Sequence, residues 1–599
     1  MTVPLKSRSG GHARALGAAL GAALTVLGSA AAVAQIAVPN PVAPGRPEQE
    51  FLPQPAPPSV TAPPPVEIER PKTPAPPRPG ALSFVLKDVV VDGATVYTPA
   101  QLRTAYAPFL GRTITVDDLA GLEEAVSRKY RNDGYILARA LIPGNQSIDP
   151  KAGVVHVQVY EGYIDKVRLD PLDYEVGAKG RLIKAILDKI AHGCRPGETP
   201  KDGKPCPLNR DTLERYLLLV NDLPGVQASA VIQPSPTTPG AADLFVTITQ
   251  LHVEGTAEID NRGTPYTGPL TAQTSVTLDN LTGAFDRTTL RYVNSIPFSE
   301  LNLANLTEDI PLNSEGLRLG FGGTFSRSHP GDALRFADIV SHTDAFDATL
   351  SYPLIRTRSE NLLVRGNFTW QDALTDAAAA RLFSDKTRAF SAGANYDLAD
   401  RLLGVNLIDV STTQGLGILG ATPANSPLAS HAGADGNFTK FDAELSRLQQ
   451  IIPQWNLLGA VNGQYALQRL LVAEQIGYGG DRYGQGYDPS ELLGDRGIEG
   501  KVELQYTPLW APGLFGPRSP LQTLQFFAFY DVGKLWNLGP GAIDPSGASA
   551  GGGIRFTLTQ HLSGYVLMAV PLTRPVQSSI ADGLNGNAGR LFFSVASIF

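Results

Sequence analysis

Leu591-Phe592-Phe593-Ser594-Val595-Ala596-Ser597-Ile598-Phe599 is the stretch on which the fold turns. Written as a strand, it places Leu591, Phe593, Val595 and Phe599 on one side, because side chains alternate with period two. A chain that closes on an aromatic, on the apolar face of a strand, has the ending expected of an outer-membrane β-barrel. Phe599 is then its assembly signal. Buried terminal strands of soluble sandwiches end the same way, so the preceding residues must decide.

From residue 251 onward no helix-period segment of useful length stands out. Strand-like runs recur instead, at 273–278, 288–293, 317–325, 362–370 and 524–532, separated by polar or Gly/Asn/Asp/Pro-rich breaks. A strand and its turn every 20 residues or so predicts about sixteen tilted spans of about 9–11 residues. The hydrophobic fraction of 43% comes as short alternating runs. Barrel strands give this weak signal because only their outward positions must be apolar. No window after the N-terminal segment offers about 18 consecutive apolar residues. A membrane form would therefore be a closed barrel, which leaves no backbone unpaired in lipid.

The start of the chain predicts export. Lys6, Arg8 and Arg14 precede a small, apolar run over 15–32, and Ala32-Val33-Ala34 is a small-x-small site before Gln35. This is a secretory signal over 1–34, removed from the mature fold. A membrane anchor fits less well, since the run is rich in Ala and Gly and a cleavage site follows at once. Residues 35–80 form a proline-rich linker. Proline removes a donor and fixes φ, so this segment is expected to build neither helix nor sheet. It reads as an extended spacer, with a ligand for a proline-binding groove as the alternative. The net charge of −7 offers no basic excess to favour nucleic acid.

Between linker and barrel lie two units of one pattern, β-α-α-β-β, over 81–162 and 163–250. In the first, 84–91 is a strand, Thr98-Pro99 starts a helix, and a second helix begins near 115–118. Leu119, Leu122, Val126 and Tyr130 fall on one face of that helix. Asn132-Asp133-Gly134 ends it, 135–142 is a strand, and Val155, Val157 and Val159 alternate along another. In the second unit the strands are 164–169, 226–233 and 244–250, and the helices 181–190 and 211–220. Cys194 and Cys206 lie 12 apart in a loop-like stretch. In an exported protein they predict a disulfide closing it. A metal site would need histidines at ligand spacing, and only His192 is near.

Particular motifs then carry a resemblance. Pro108-Phe109-Leu110-Gly111, Asp118-Leu119, Tyr130, Gly134-Tyr135 and Val159-Tyr160-Glu161-Gly162 resemble the first POTRA domain of the two-partner secretion transporters, the haemolysin and filamentous-adhesin secretion-activation family. Asp260-Asn261-Arg262-Gly263, with Gly268, is similar to that family's first barrel strand and turn. The resemblance spans about 81–599. It implies a transmembrane antiparallel β-barrel of about sixteen strands over 251–599, preceded by two small α+β POTRA domains over 81–162 and 163–250.

The resemblance also implies where the machinery lies. Gly479-Gly480-Asp481-Arg482-Tyr483-Gly484-Gln485-Gly486-Tyr487, continuing to Gly494-Asp495-Arg496-Gly497, is similar to the long extracellular loop that folds back into the lumen. Phe527, Phe529, Asp531 and Gly533 resemble the family's barrel-wall motif. They share one face, and a lipid-facing aspartate is costly, so Asp531 is expected to face the lumen, with Phe526, Ala528, Tyr530 and Val532 outward. In the family a loop arginine pairs with that aspartate. Here Gln485 stands at the arginine's place, and glutamine lacks the charged bidentate fork. Arg482 and Arg496 are the candidates to replace it. A nucleotide-binding loop is disfavoured, as the glycines do not form G-x-G-x-x-G and no helix follows.

The function implied is a transporter with no cofactor, no metal and no catalytic residues. The POTRA pair would hold an unfolded exoprotein in the periplasm by β-augmentation, and the barrel would pass it to the cell surface. Outer-membrane lipid, the barrel-assembly machinery and periplasmic chaperones are the other expected partners. In relatives the segment before the first POTRA domain includes a plug helix; here proline leaves only 48–52 free to be helical. The alternative function is a factor that assembles other barrels. A porin or receptor would lack the periplasmic units. An outer-membrane enzyme finds no support in the eight scattered histidines and the missing G-x-S-x-G.

Overall fold

The computed structural model describes residues 38–51, 66–68, 83–172, 174, 180–192, 205–238, 240–296, 298–378, 380–514, 516, 519–581 and 583–599. The expected signal segment and Cys194 lie outside them. Cys206 is disulfide-bonded.

Sixteen antiparallel strands close into a barrel, each paired with its sequence neighbour, from Val253–Asp260 to Arg590–Ile598. The seam joins first and last strands from Thr256↔Ile598 to Asp260↔Ser594. Phe599 extends it, its N–H donating to Gly255 O at 2.9 Å and its own carbonyl accepting from Gly255 N at 2.7 Å. Leu591 and Val595 are exposed outward, whereas Phe592 and Ser594 are buried inside. The expected sixteen strands are therefore present. Three of them, Ile339–Arg356, Glu360–Ala377 and Ala380–Ala399, are much longer than the 9–11 residues that a bilayer requires. Their distal ends carry charge that lipid would not tolerate, such as the Arg381–Asp376 pair. Aromatic rings mark the outer wall: Trp455 stacks on Tyr506 with centroids 4.7 Å apart, and Phe346 lies 5.5 Å from both Phe325 and Trp370.

In the first α/β unit, Val154–Tyr160 lies between Asp88–Asp92 and Arg139–Leu141. The helices Pro99–Tyr106 and Val116–Asn132 pack on this sheet and bury Leu122, Val126 and Tyr130 against Val155 and Val157. Thr98 and Gln101 close a capping box at the first helix. The strand expected over 84–91 is two strands. Ser83–Val85 pairs with Thr113–Thr115, whereas Asp88–Asp92 pairs with Val154–Tyr160. The chain changes partners between them, as Leu86 N donates to Arg112 O and Lys87 N to Gly153 O. The strand expected over 135–142 shortens to Arg139–Leu141. Tyr135 turns inward, and its ring meets Tyr130 edge-on at 6.0 Å.

Glu161 organises this unit. Its buried carboxylate accepts from Thr95 N at 2.7 Å, Val96 N at 2.9 Å and Tyr130 Oη at 2.9 Å. Glu161→Ala leaves these donors without an acceptor, and an unsatisfied buried donor costs about 1–3 kcal/mol. The expected result is local unfolding of the unit, read as loss of amide hydrogen-exchange protection over 139–160 with the barrel unchanged. Unaltered protection would refute this role.

The second unit has the same layout, with helices Arg181–His192 and Arg210–Asn221 on a sheet of Tyr163–Asp170, Ala241–Gln250 and Val226–Pro234. A fourth strand, Val66–Ile68, joins the free edge of Val226–Pro234 in parallel register, Val66↔Ala230 to Ile68↔Ile232. The linker was expected to form no sheet, but this Pro-free triplet, rich in β-branched residues, does so after Pro63-Pro64-Pro65. The unit is clamped to the barrel rim. Arg356 grips Asp222 at 2.6 and 2.7 Å, Lys189 pairs with Glu315 at 3.0 Å, and Phe285 from a barrel turn enters the unit's core. These turns mark the end of the barrel that carries the α/β units.

Candidate functional site

Among the described residues, two segments occupy the barrel lumen. The first is the linker's start, residues 39–51, with 3-10 turns at Asn40–Val42 and Gln49–Phe51. Only 48–52 was free of the proline constraint on a helix. The structure shows turns at both ends of an irregular strand of chain, because the prolines at 39, 41, 44 and 47 deny a continuous helix its donors. Its anchors are largely polar. Asn40 Nδ2 donates to Glu491 O at 3.0 Å, Arg46 to Gln475 O, Ser326 Oγ to the Glu48 carboxylate, and Arg291 Nη1 to Phe51 O at 2.6 Å. Phe51 also packs on Val293, Leu301 and Leu303 of the inner wall.

The second is the loop between the strands Trp455–Ala466 and Arg496–Tyr506. A hairpin of Ile476–Tyr478 and Leu492–Gly494 carries its tip inward. Tyr478, Tyr483 and Tyr487 cluster with Leu492 and Leu535. The facing wall belongs to the strand Thr523–Trp536. Phe527, Phe529 and Asp531 are buried on its inner face, whereas Phe526, Tyr530 and Val532 are exposed outside. Glycine is required twice at this contact. A Cβ on Gly533 would lie 2.4 Å from the Tyr478 ring, and one on Gly486 would lie 2.9 Å from Ser549 Cβ. The tip is thus pressed directly onto the wall.

Asp531 Oδ2 accepts from Gln485 N at 3.0 Å and from Ser549 Oγ at 3.3 Å. The bond runs through the backbone of residue 485, so the residue type there is less restricted than a side-chain pair would demand. Neither expected substitute arginine reaches Asp531. Arg482 pairs with Glu444 on the strand Thr439–Ile452. Arg496 faces outward, 4.1 Å above the Tyr465 ring. Gly479 and Gly480 bend the loop inward with φ of 123° and 111°. Asp495 is buried at the loop's base, where it accepts from Leu470 N at 2.9 Å and Leu538 N at 2.7 Å and meets His431 at 3.5 Å.

Sequence reasoning missed several side chains that hold the tip or order the wall facing it. Asp488 pairs with Arg590 at 2.6 Å and accepts from Ser578 Oγ. Arg262 reaches the tip from the first strand's end. Arg555 covers Phe527 at 3.8 Å and forks onto Glu503 at 2.6 and 2.9 Å. Arg555 and Arg590 lie on inward strand positions, which a period-two reading identifies, whereas Arg262, Asp488 and Ser578 lie outside the barrel strands, and what meets across a lumen is not written in that period.

The loop's docking is linked to pH. Burial, with Asp488 adjacent, pushes the Glu491 carboxyl up to about 7. The bond to Asp495 raises the His431 imidazole above its ordinary value. A raised folded-state pKa means stability present below the undocked pKa and lost as pH rises through the docked one. Both groups therefore hold the loop more firmly at acid pH. Conductance openings in planar bilayers are expected to become more frequent from pH 5 to 8, with Glu491→Gln flattening the rise. A pH-independent record would contradict this.

A closed barrel with α/β units at one end and a lumen occupied by its own loop and by residues 39–51, its leader, defines an outer-membrane translocation pore. Residues 246–556, just over half the chain, match the family "Haemolysin secretion/activation protein ShlB/FhaC/HecB", and 84–162 match the "POTRA domain, ShlB-type". The chain belongs to this family, and is a two-partner secretion transporter of the outer membrane with its POTRA domains in the periplasm.

"Heme/hemopexin transporter protein HuxB" of Haemophilus influenzae (strain 86-028NP) is 25% identical over 434 residues, 71% of each chain. "Outer membrane transporter CdiB" of Escherichia coli O6:K15:H31 is 24% identical over 519 residues, 82% of this chain and 79% of the relative. Among solved structures, CdiB from Escherichia coli superposes with a TM-score of 0.67 at 22% identity, covering 88% of this chain and 93% of that one. CdiB from Acinetobacter baumannii gives 0.59 at 15% identity, covering 90% and 94%. The family is one of transporters rather than enzymes.

Proposed function

We propose that the exoprotein gains the lumen by displacing the leader and then the loop. The observation that carries this is the linker's double attachment. Residues 39–51 sit in the lumen, Val66–Ile68 occupies the sheet edge of the second periplasmic unit, and residues 52–65 join the two. An extended client segment adds to a sheet edge through backbone bonds, which makes recognition tolerant of sequence. A client strand on Val226–Pro234 competes with Val66–Ile68 for the same N–H and C=O groups. Its gain releases the linker, and with it the polar anchors of the leader. The exposed edge Arg139–Leu141 of the first unit offers a further strand to bind.

Asp531 is the wall anchor of the loop in this reading, and Gly479, Gly480, Gln485, Gly486 and Tyr487 are the parts that withdraw. The chain has no chemistry of its own, and folding of the client outside biases the movement. Phe599 directs the barrel to the assembly machinery after periplasmic chaperones deliver it.

The test is export of a candidate exoprotein in cells fractionated into periplasm, outer membrane and medium. The client is expected in the medium only when this protein is present. Unchanged export, with other outer-membrane barrels falling in abundance, would replace secretion with barrel assembly.

A further inference from the structure

The loop tip of this chain is gripped by a cation from the barrel wall. Arg262 follows the first strand, Val253–Asp260, and only 5% of it is exposed. Its backbone N–H donates to Asp260 Oδ1 at 2.8 Å, while Thr271 Oγ1 donates to Asp260 Oδ2 at 2.7 Å. The side chain therefore leaves a fixed turn. Its Nη1 donates to Gln485 O at 3.2 Å and its Nη2 to Asp481 Oδ1 at 2.8 Å. Its Nε donates to Tyr565 Oη at 3.1 Å, and its plane lies 4.2 Å over the Phe592 ring. Thus a single planar fork touches the loop at two points and the last two strands at two more.

The arrangement divides the work of anchoring. Residue 485 gives its N–H to Asp531 on one wall and its carbonyl to Arg262 on the other. At residue 485 the tip is held between an anion and a cation through its own backbone groups. Asp481 is well exposed, so its ion pair is screened by solvent. The bond to the Gln485 carbonyl and the seat on Phe592 are buried, and charge-assisted bonds are strongest there. A guanidinium suits this place because it stacks and forks together, which an ammonium does not.

We propose that Arg262 is the positioning residue that fixes the loop tip in the lumen, in place of a cation borne by the tip itself. The role rests on the reading that the loop must move for a client to pass, but its test needs no client. Purified wild type, Arg262→Gln, Arg262→Lys and Arg262→Gln/Gln485→Arg are compared by single-channel conductance in planar bilayers, with heat-modifiable migration reporting barrel closure. Loss of one buried charge-assisted bond is expected to raise the frequency of large openings about tenfold in Arg262→Gln. Lysine keeps the charge without the fork and is expected to fall between. In the double variant an arginine at 485 stands beside Asp531, and the quiet channel should return.

A quiet Arg262→Gln barrel would overturn the proposal. So would a double variant as noisy as Arg262→Gln, since the noise would then report damage at the seam. Should Arg262→Gln fail to assemble, Arg262→Lys alone decides, with frequent openings supporting the role and a silent channel refuting it. Noisy variants that secrete the exoprotein normally would leave Arg262's role standing and remove the loop from the transport reading.

Discussion

Asp531→Ala is expected to lower the exoprotein in the medium by about tenfold or more, while the barrel still inserts and migrates as a folded, heat-modifiable species. The carboxylate is fully buried and accepts from Gln485 N and Ser549 Oγ. Removing it strands both donors against the wall, at about 1–3 kcal/mol for an unsatisfied buried group, and about 1.4 kcal/mol is already tenfold in an equilibrium. The strand itself should survive. Its pairing runs through backbone from Arg496↔Trp536 to Tyr506↔Phe526, and its outward Phe526, Tyr530 and Val532 are untouched. Asp531→Asn keeps one acceptor oxygen and should be milder. Immunoblots of medium and cells, with unheated gels of the membrane fraction, give the measurement. Normal secretion by Asp531→Ala would mean that the loop's place in the lumen does not govern transport.

Locking the linker to the second periplasmic unit should have an effect at least as large. Val66 and Ala230 are direct partners in the parallel register. Adjacent strands lie about 4.8 Å apart, within the roughly 4.4–6.8 Å that a disulfide spans between Cα atoms. Val66→Cys/Ala230→Cys is expected to secrete almost nothing when oxidised and to recover on mild reduction. The single cysteine variants and the reductant-treated wild type control for the bond that Cys206 already makes. Full secretion by the oxidised double variant would show that the client does not need this edge.

How much of this was written in the sequence differs from part to part. The barrel was legible because several of its strands show one local rule, apolar residues at every second position, and Thr523–Trp536 shows it plainly. The inward set Phe527, Phe529, Asp531 and Gly533 was legible for the same reason. The periplasmic helices were readable from caps and a 3.6-residue stripe. The linker strand was not. Val66–Ile68 is three residues long, and its pairing depends on an edge about 160 positions away, which no local pattern reports. The partner of the loop tip was misjudged on related grounds. Arg482 and Arg496 are near Gln485 in the chain, yet one turns to Glu444 and the other to the outer wall. Arg262, 223 positions away, is brought to the tip only when the barrel closes.

The most direct test of passage through the lumen is photo-crosslinking to a client stalled by a stably folded domain at its end. A photoreactive residue is placed in turn at Phe527, inside, and at Tyr530, on the lipid face. Cross-links from 527 and none from 530 are predicted, appearing only with the stalled client. Capture from 530, or equal capture with and without the stall, would contradict transport through the barrel.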